Sequence, residues 1–505
     1  MIRAIDNALN RITMYRLVLY YLIFLLGVAV LLSFRGILGY DPFALLFTIG
    51  FFIAVCWVTN KVFSKIWGVP ANVESVYISA LILALIITPY QGTQDLWFFV
   101  WAGVWAMASK YIVAVHRRHI FNPVAFAVAL TYFTINGSAS WWVGSAPMLP
   151  FALIGGLLVV RKIERFDLVG SFLLGTLATT LLFSILGHDS LLDTLQHLVM
   201  LSPLVFFACV FLTEPLTTPP TRKLRLFYGA LVGVLFTPDV HIGGLYTTPE
   251  LAILVGNLFS FLVSPRSTLV LRLKNKVQLA PDIYEFVFAR PPKFSFAPGQ
   301  YMEWTMALPE ADSRGNRRYF TLASSPTEDT IRLGVKFYEH SSAYKQTMLE
   351  MDSGAEIIAG HLAGDFVLPD NPAQACVFIA GGIGITPFRS MLQYLIDRRE
   401  KRPVTVIYVV RKLEDIVYDD VLRRAQRQGV RVLYALTDAE SAPSGWLGHV
   451  GYVTPELIKS VVPNCTQALY YISGPRRMVE SLHDTLDQVG IQPRRIKTDY
   501  FAGLA

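Results

Sequence analysis

Cysteine is scarce in this 505-residue chain: there are four, Cys56, Cys209, Cys376 and Cys465, with no C-x-x-C pair and no metal-ligand spacing. That excludes a disulfide framework and a four-cysteine iron–sulfur cluster held by one chain, and no metal site is expected. Charge is also thin, at 16% of residues against 53% hydrophobic, and the shortage is uneven. Before Pro265 the charged residues are few and clustered; after it they are frequent. Histidines are missing where haem would need facing pairs: His116, His119, His188 and His241 lie between apolar runs, and His197 alone borders one. The net charge of +7 does not point to nucleic acid, because most basic residues of the first half sit in short segments that membrane topology explains.

What is present falls into two compositional regimes that meet near residue 265, so the chain divides into more than one domain. The first holds charge-free apolar runs near 17–33, 43–59, 75–88, 96–109, 123–135, 143–160, 168–187, 198–213, 226–236 and 251–264. A bilayer core of roughly 30 Å asks for about 20 apolar residues per helix, fewer where helices are broken or buried by neighbours. About ten spans are therefore expected over 1–265. With the N-terminus inside, Arg3, Arg11, Arg16, Lys61, Lys65, Lys110, Arg117, Arg118, Arg161, Lys162, Arg165, Arg222, Lys223 and Arg225 fall on the inner side and only Arg35 on the outer. That asymmetry predicts both ends of this domain on the cytoplasmic face. Leu17–Ser33 is long enough to span and no small-residue cleavage pattern follows it, so no cleavable signal peptide is expected.

In the second regime the pattern changes to short alternating strands such as Tyr284–Phe288, as in a small antiparallel barrel over 266–370. Arg317-Arg318-Tyr319-Phe320-Thr321-Leu322-Ala323-Ser324-Ser325-Pro326 orders residue types that suit a flavin. Arg318 offers a planar fork of donors for a pyrophosphate, Phe320 an aromatic face for the ring and Thr321 a hydroxyl, and Tyr319, between Arg318 and Phe320, is counted with the cofactor-binding residues. A strand over Ile331–Tyr338 and a serine-capped helix over Ser341–Leu349 follow. Free amides at a helix start favour phosphate, which puts the flavin pyrophosphate between Arg318 and Ser341, Ser342 and Lys345. From 371 onward strands and helices alternate, implying a parallel sheet. The buried strand Cys376–Ala380 runs into Gly381-Gly382-Ile383-Gly384-Ile385-Thr386-Pro387 and then a helix, which is where glycines let backbone amides approach a dinucleotide. Strands over Val404–Val410, ending at Arg411-Lys412, over Val432–Leu436 and over Ala468–Ile472 complete the pattern. The last ends at Ser473-Gly474-Pro475, and the chain closes with Asp499-Tyr500-Phe501.

Two resemblances attach to these residues. Arg118-His119-Ile120-Phe121-Asn122-Pro123, Thr213-Glu214-Pro215-Leu216-Thr217-Thr218-Pro219, Tyr228–Gly233 and Asn257-Leu258-Phe259 together resemble the NqrB/RnfD family, the flavin-carrying membrane subunits of the Na⁺-pumping NADH:quinone reductase and of Rnf complexes. That family commonly esterifies FMN to a Thr in an S-G-A-T-like outer loop; the matching loop here offers Gly144-Ser145-Ala146 without a Thr. The resemblance thus implies no covalent flavin, and leaves room for a second, non-covalent FMN or riboflavin near Asn122 and Glu214. Residues 270–505 resemble the ferredoxin–NADP⁺ reductase superfamily. Its R-x-[YF]-[ST] motif falls on Arg318, Phe320 and Thr321, its flavin-phosphate segment on Ser341, Ser342 and Lys345, and its nucleotide motif on Gly381, Gly382, Gly384, Thr386 and Pro387. Its C-G-P falls on Ser473, Gly474 and Pro475, so Ser473 stands for the common Cys and Asp499 for a frequent Glu.

The resemblances imply FAD and NAD(P)H as cofactors, with Thr321, Ser473 and Asp499 at the reacting centre, Arg411 near a nucleotide 2′-phosphate and Phe501 at the ring. They imply a multi-pass inner-membrane flavoprotein oxidoreductase that passes electrons from cytosolic NAD(P)H into or across the bilayer, to a flavinylated extracytoplasmic protein or a quinone. Self-association into a homo-oligomer stays open. Two other readings stay open as well: a transporter with a redox-sensing FAD domain, and a membrane-anchored diaphorase.

Overall fold

In the computed structural model, the residues described are 12–67, 73–115, 118–264, 269–306, 315–339 and 341–501, with isolated positions 5, 9 and 308. The basic residues Arg3, Arg11 and Arg117, the expected junction at Pro265, and Ala505 lie outside them. The chain divides into two compact units, Met1–Arg266 and Ser267–Ala505.

The first unit is helical. Several helices start where a side chain accepts from a free amide, as Thr13 does for Met14–Phe34 and Thr248 for Pro249–Val263. Asn122 does the same for Pro123–Ile135, taking both Val124 N and Ala125 N at 3.0 Å. Met14–Phe34, Pro42–Trp67 and Phe166–Gly187 are long and apolar enough to cross a membrane. Leu191–Met200 and Leu204–Phe211, bent by 57° at their break, make a fourth if counted as one span. Glu74–Ile86, Pro123–Ile135 and Pro249–Val263 are apolar but shorter. At about 1.5 Å per residue, helices of this length reach only some 20 Å, so among the described residues helix length supports three or four spans and not about ten.

The shorter helices are covered to different degrees: Phe133 and Leu262 are exposed on two of them, whereas the third is enclosed at its end. Leu83–Ile86 is entirely buried, against Met14–Phe34 and Pro42–Trp67. Arg222–Phe236 lies along Phe166–Gly187 at backbone distance: a Cβ on Gly233 would sit 2.3 Å from Phe172 O, and one on Gly229 2.7 Å from Leu168 O. Small residues at i and i+4 let two helices touch this closely.

The second unit has two sheets. Strands β1 (Leu269–Ala280), β2 (Ile283–Ala289), β3 (Tyr301–Thr305), β4 (Arg317–Thr321), β5 (Thr330–Lys336) and β6 (Glu356–Ala363) form an antiparallel sheet in the order β4-β3-β6-β1-β2-β5. It curls so that Ala323 N, just past one edge strand, donates to Arg332 O on the other at 2.8 Å. Alternate residues, among them Phe286, Phe288, Met302, Trp304 and Leu333, fill its core. Strands β7 (Cys376–Gly381), β8 (Val404–Val410), β9 (Arg431–Leu436), β10 (His449–Val450), β11 (Leu469–Pro475) and β12 (Ile496–Phe501) form an all-parallel sheet in the order β10-β9-β8-β7-β11-β12. β7 and β8 are buried at every residue, as strands covered on both faces must be. The four cysteines are free thiols.

Candidate functional site

The parallel sheet reverses its winding at β7: the chain passes to β8, β9 and β10 on one side, then returns to lay β11 and β12 on the other. Ligands of such sheets sit in the crevice beyond the strand ends at this point. Here the ends are Gly381 and Ser473-Gly474-Pro475, on adjacent strands. Their main chains nearly touch. A Cβ on Gly384 would lie 2.2 Å from Ser473 O, one on Gly474 3.1 Å from Gly381 Cα, and one on Gly381 2.2 Å from Met478 Sδ. Gly382 takes φ +52°, which glycine adopts without strain. The turn Gly382–Ile385 leads into helix Thr386–Arg398, with Pro387 in its first turn and Thr386 Oγ1 donating to Ile383 O at 3.1 Å.

Register sets the chemistry beside this turn. Ser473 pairs with Ala380 on one side and with Asp499 on the other. Thr321, the last residue of β4, reaches over from the antiparallel sheet and donates its hydroxyl to Asp499 Oδ2 at 3.3 Å. Burial pushes the Asp499 carboxyl up to about 6, and the Thr321 hydrogen bond offsets only part of that rise. Ser473 is fully buried, and its hydroxyl has no hydrogen-bond partner among the described residues. An orphaned buried hydroxyl beside a glycine cradle is what a site looks like when its partner is a bound molecule. The residues present therefore fit a dinucleotide.

A second group gathers along β4. The Arg318 guanidinium lies 5.0 Å from the Tyr344 ring, and Phe320 stands 6.2 Å from the same ring. Tyr344 belongs to helix Ala343–Leu349, which Ser342 caps by accepting from Lys345 N. Arg318 and Phe320 thus lie against the helix whose first turn carries Ser342 and Lys345. The polar atoms of the group are partly engaged already: Arg318 Nη1 donates to the carbonyls of Gly315 and Arg317 at 3.2 and 2.7 Å. Lys345 Nζ donates to Lys336 O at 2.8 Å, and Ser341 Oγ to Tyr338 O at 2.7 Å. Tyr319 is turned to the other face, its hydroxyl donating to Glu303 Oε2 at 2.8 Å. Arg411 is exposed, just past the end of β8. The side chain of Phe501 lies outside the described residues; its backbone closes β12 opposite Pro475.

Sequence reasoning missed Arg389 and Glu328. Arg389, buried in helix Thr386–Arg398, donates Nη2 to Glu328 Oε1 at 2.9 Å, Nη1 to Glu328 Oε2, and Nη1 to Ala323 O at 3.1 Å. Burial alone raises the Glu328 carboxyl, but the Arg389 guanidinium, the Ser325 amide and the Arg332 charge together outweigh it and hold the group below the usual carboxylate range. Removing one partner of such a pair costs about 3–5 kcal/mol, because the other charge is left buried. No short pattern in the sequence marks the pair, because Arg389 lies on a helix that also carries Ser390, Gln393 and Asp397.

In the membrane-type unit the segments singled out by sequence meet. Asn122 Nδ2 donates to Glu214 Oε2 at 2.9 Å, Thr217 Oγ1 to the same oxygen at 3.1 Å, and His119 Nε2 lies 3.6 Å from Glu214 Oε1. Asn122 N donates to Asn257 Oδ1 at 2.7 Å, and Asn257 Nδ2 to the Tyr228 hydroxyl at 3.1 Å.

A flavin-and-nucleotide type of reductase unit joined to a helical membrane-type unit is the class that fold and sites define. Comparison with known proteins agrees. Residues 378–484 match the oxidoreductase NAD-binding domain, and residues 137–266 match the NQR2, RnfD, RnfE family. The flavohemoprotein of Bacillus subtilis is 28% identical over 209 residues, covering 41% of this chain and 51% of its own. NADH-cytochrome b5 reductase 1 of Aspergillus oryzae is 27% identical over 237 residues, covering 45% and 80%. Among solved structures, a ferredoxin NADP⁺ reductase from Neisseria gonorrhoeae with bound FAD and NADP aligns with a TM-score of 0.40 at 21% identity, over 46% of this chain and 98% of that one. The chain spans about half the length of the first curated relatives it matches, from 51% to 59%.

Proposed function

We propose that the chain is a membrane-integral oxidoreductase. It takes hydride from NAD(P)H onto FAD at the Ser267–Ala505 unit and sends the electrons into or across the bilayer through the Met1–Arg266 unit. The observation that carries the reading is the meeting of Thr321, Asp499 and the unpartnered Ser473 hydroxyl beside the Gly381–Gly384 turn. When bound, the flavin supplies acceptance of a hydride and release of electrons singly.

The chain's own residues bind and orient. Arg318 and the Ser341-Ser342-Lys345 segment hold the flavin pyrophosphate, and Phe320 borders its ring, while Tyr319 braces the strand from its opposite face through Glu303. The amides of Gly381, Gly382 and Gly384, with Thr386 and Pro387, receive the nucleotide pyrophosphate, and Arg411 stands toward its ribose. Ser473, Gly474 and Pro475 face the nicotinamide, and Phe501 closes the ring site. Asp499 exchanges a proton through the Thr321 hydroxyl. In the membrane-type unit the Asn122–Glu214 cluster is offered as the place of a second, non-covalent FMN or riboflavin, and the shorter helices as broken spans that bring the count toward ten. The termini then lie on the cytoplasmic side of the inner membrane, where NAD(P)H is available, and the acceptor is a flavinylated extracytoplasmic protein or a quinone. Homo-oligomerisation fits the same picture.

The test uses purified full-length protein in sealed vesicles holding ferricyanide. NADH or NADPH added outside should bleach the enclosed ferricyanide. Nucleotide oxidation with external acceptors, but no bleaching inside, leaves an anchored diaphorase; no nucleotide oxidation at all leaves a redox-sensing transporter.

A further inference from the structure

The loop that leaves the flavin strand is bolted to the helix that leaves the glycine turn. Three fastenings do this, all from consecutive or nearby residues. Arg389 grips Glu328 with both terminal nitrogens and reaches Ala323 O at 3.1 Å. Ser390 Oγ donates to Ser324 O at 2.6 Å. Thr327 Oγ1 donates to Asp397, further along the same helix. Within the loop, Ser325 N donates to Glu328 Oε2 at 2.6 Å and Arg332 N to Ser324 Oγ at 3.1 Å, so the clamped segment is itself stiff. Arg389 and Ser390 are buried, as are Ser324 and Ser325.

The geometry matters because of what lies at either end. Ala323 is two residues from Thr321, whose hydroxyl meets Asp499. Arg389 is three residues from Thr386 and five from Gly384, whose backbone abuts Ser473. The clamp thus ties the loop that follows the flavin strand to the helix that follows the nucleotide turn, and acts beside the direct Thr321–Asp499 contact between the strand ends. The terminal nitrogens of Arg389 and the carboxylate oxygens of Glu328 are engaged by each other and by the Ala323–Ser325 backbone. We propose that Arg389 and Glu328 are positioning residues for hydride transfer: they fix the spacing between the flavin strand and the nucleotide turn, and touch neither ligand. The inference rests on the proposed reductase reading and deepens it. A planar guanidinium gripping a carboxylate by two parallel bonds resists sliding as well as separation, which a single ammonium contact does not.

The experiment measures single-turnover flavin reduction by NADH or NADPH in full-length protein loaded with FAD, following the limiting rate and the nucleotide concentration at half-maximal rate separately. The proteins compared are the parent, Arg389→Lys, Glu328→Gln and Ser390→Ala. A misplacement of about 1 Å can cost on the order of 10²-fold in rate, so partial loosening in Arg389→Lys and Glu328→Gln is expected to lower the limiting rate about tenfold or more. The half-saturating nucleotide concentration and FAD content should stay within about twofold, because neither residue contacts a ligand. Ser390→Ala removes one bond of the same clamp and is expected to lower the limiting rate by a smaller factor. A limiting rate equal to the parent's in folded, FAD-loaded Arg389→Lys or Glu328→Gln overturns the inference. So does a loss confined to FAD content or thermal stability, which is what a purely architectural ion pair would give. If both of those variants fail to fold, Ser390→Ala decides by the same criterion. A parent protein that oxidises neither nucleotide defeats the reductase reading itself, which separates that failure from this one.

Discussion

Asp499 is the residue whose ionisation the fold alters most usefully. Enclosure disfavours its charged form and lifts it to about 6, above its ordinary value near 4. Because the folded-state value is raised, the folded chain holds this proton more tightly than the unfolded one. The group's contribution to stability is therefore greatest below the ordinary carboxylate value and falls as pH rises toward 6. Asp499→Asn is expected to flatten that part of the stability–pH curve, read by thermal unfolding of the intact protein between pH 4 and 7. It should also remove an inflection near pH 6 from the rate of NAD(P)H oxidation. Unchanged curves in both assays would mean that the carboxyl is not proton-linked. At this scale the sequence singled out Thr321 and the glycines by residue type and placement, and Ser473 and Asp499 through the family resemblance; the structure sets Thr321, Asp499 and Ser473 beside the glycine turn. Arg389 and Glu328 were not legible, because 61 positions separate them, and a charged residue on a helix is ordinarily solvated. Only the packing of that helix against the Leu322–Glu328 loop makes it a buried grip.

Elements tell the same story in a different way. In the reductase unit the strand expectations Ile331–Tyr338, Val432–Leu436 and Ala468–Ile472 fall within about three residues of β5, β9 and β11 at either end. The alternating and fully apolar patterns are set by which faces are covered. In the membrane-type unit an apolar run of 13 to 15 residues reads identically whether it crosses lipid or is walled in by protein, so counting runs overshot what helix length supports. What distinguishes the two cases is the contact between helices, which a single sequence does not display. The Arg222–Phe236 and Phe166–Gly187 pair makes that contact testable. Gly233→Val would drive a branched side chain into Phe172 O and Thr176 N, at 2.3 and 2.9 Å from a Cβ. Since the obstacles are backbone, the helices must part. The detergent-solubilised variant is expected to aggregate at least several degrees below the parent, while flavin reduction by NAD(P)H stays close to normal. A parent-like melting profile would show that the close crossing is dispensable.

The molecule as a whole divides at residues 266 and 267, and each unit has its own hydrophobic core. The site at the ends of β7, β11 and β12, and the strand β4 that meets it, belong wholly to the second unit. A fragment of residues 267–505 is accordingly expected to fold, bind FAD and oxidise NAD(P)H with a soluble dye, yet to leave vesicle-enclosed ferricyanide untouched. Dye reduction lost in the fragment but present in the full chain would mean that the reductase site borrows residues from the helical unit.

The meeting of Gly384 with the main chain of Ser473 carries one more consequence. A side chain that collides with another side chain can be rescued by trimming the neighbour, so genetic suppressors exist. Here the obstacle is a carbonyl oxygen that every amino acid possesses. Selection for recovered function after Gly384→Ala should return the original glycine codon and no compensating change at position 473.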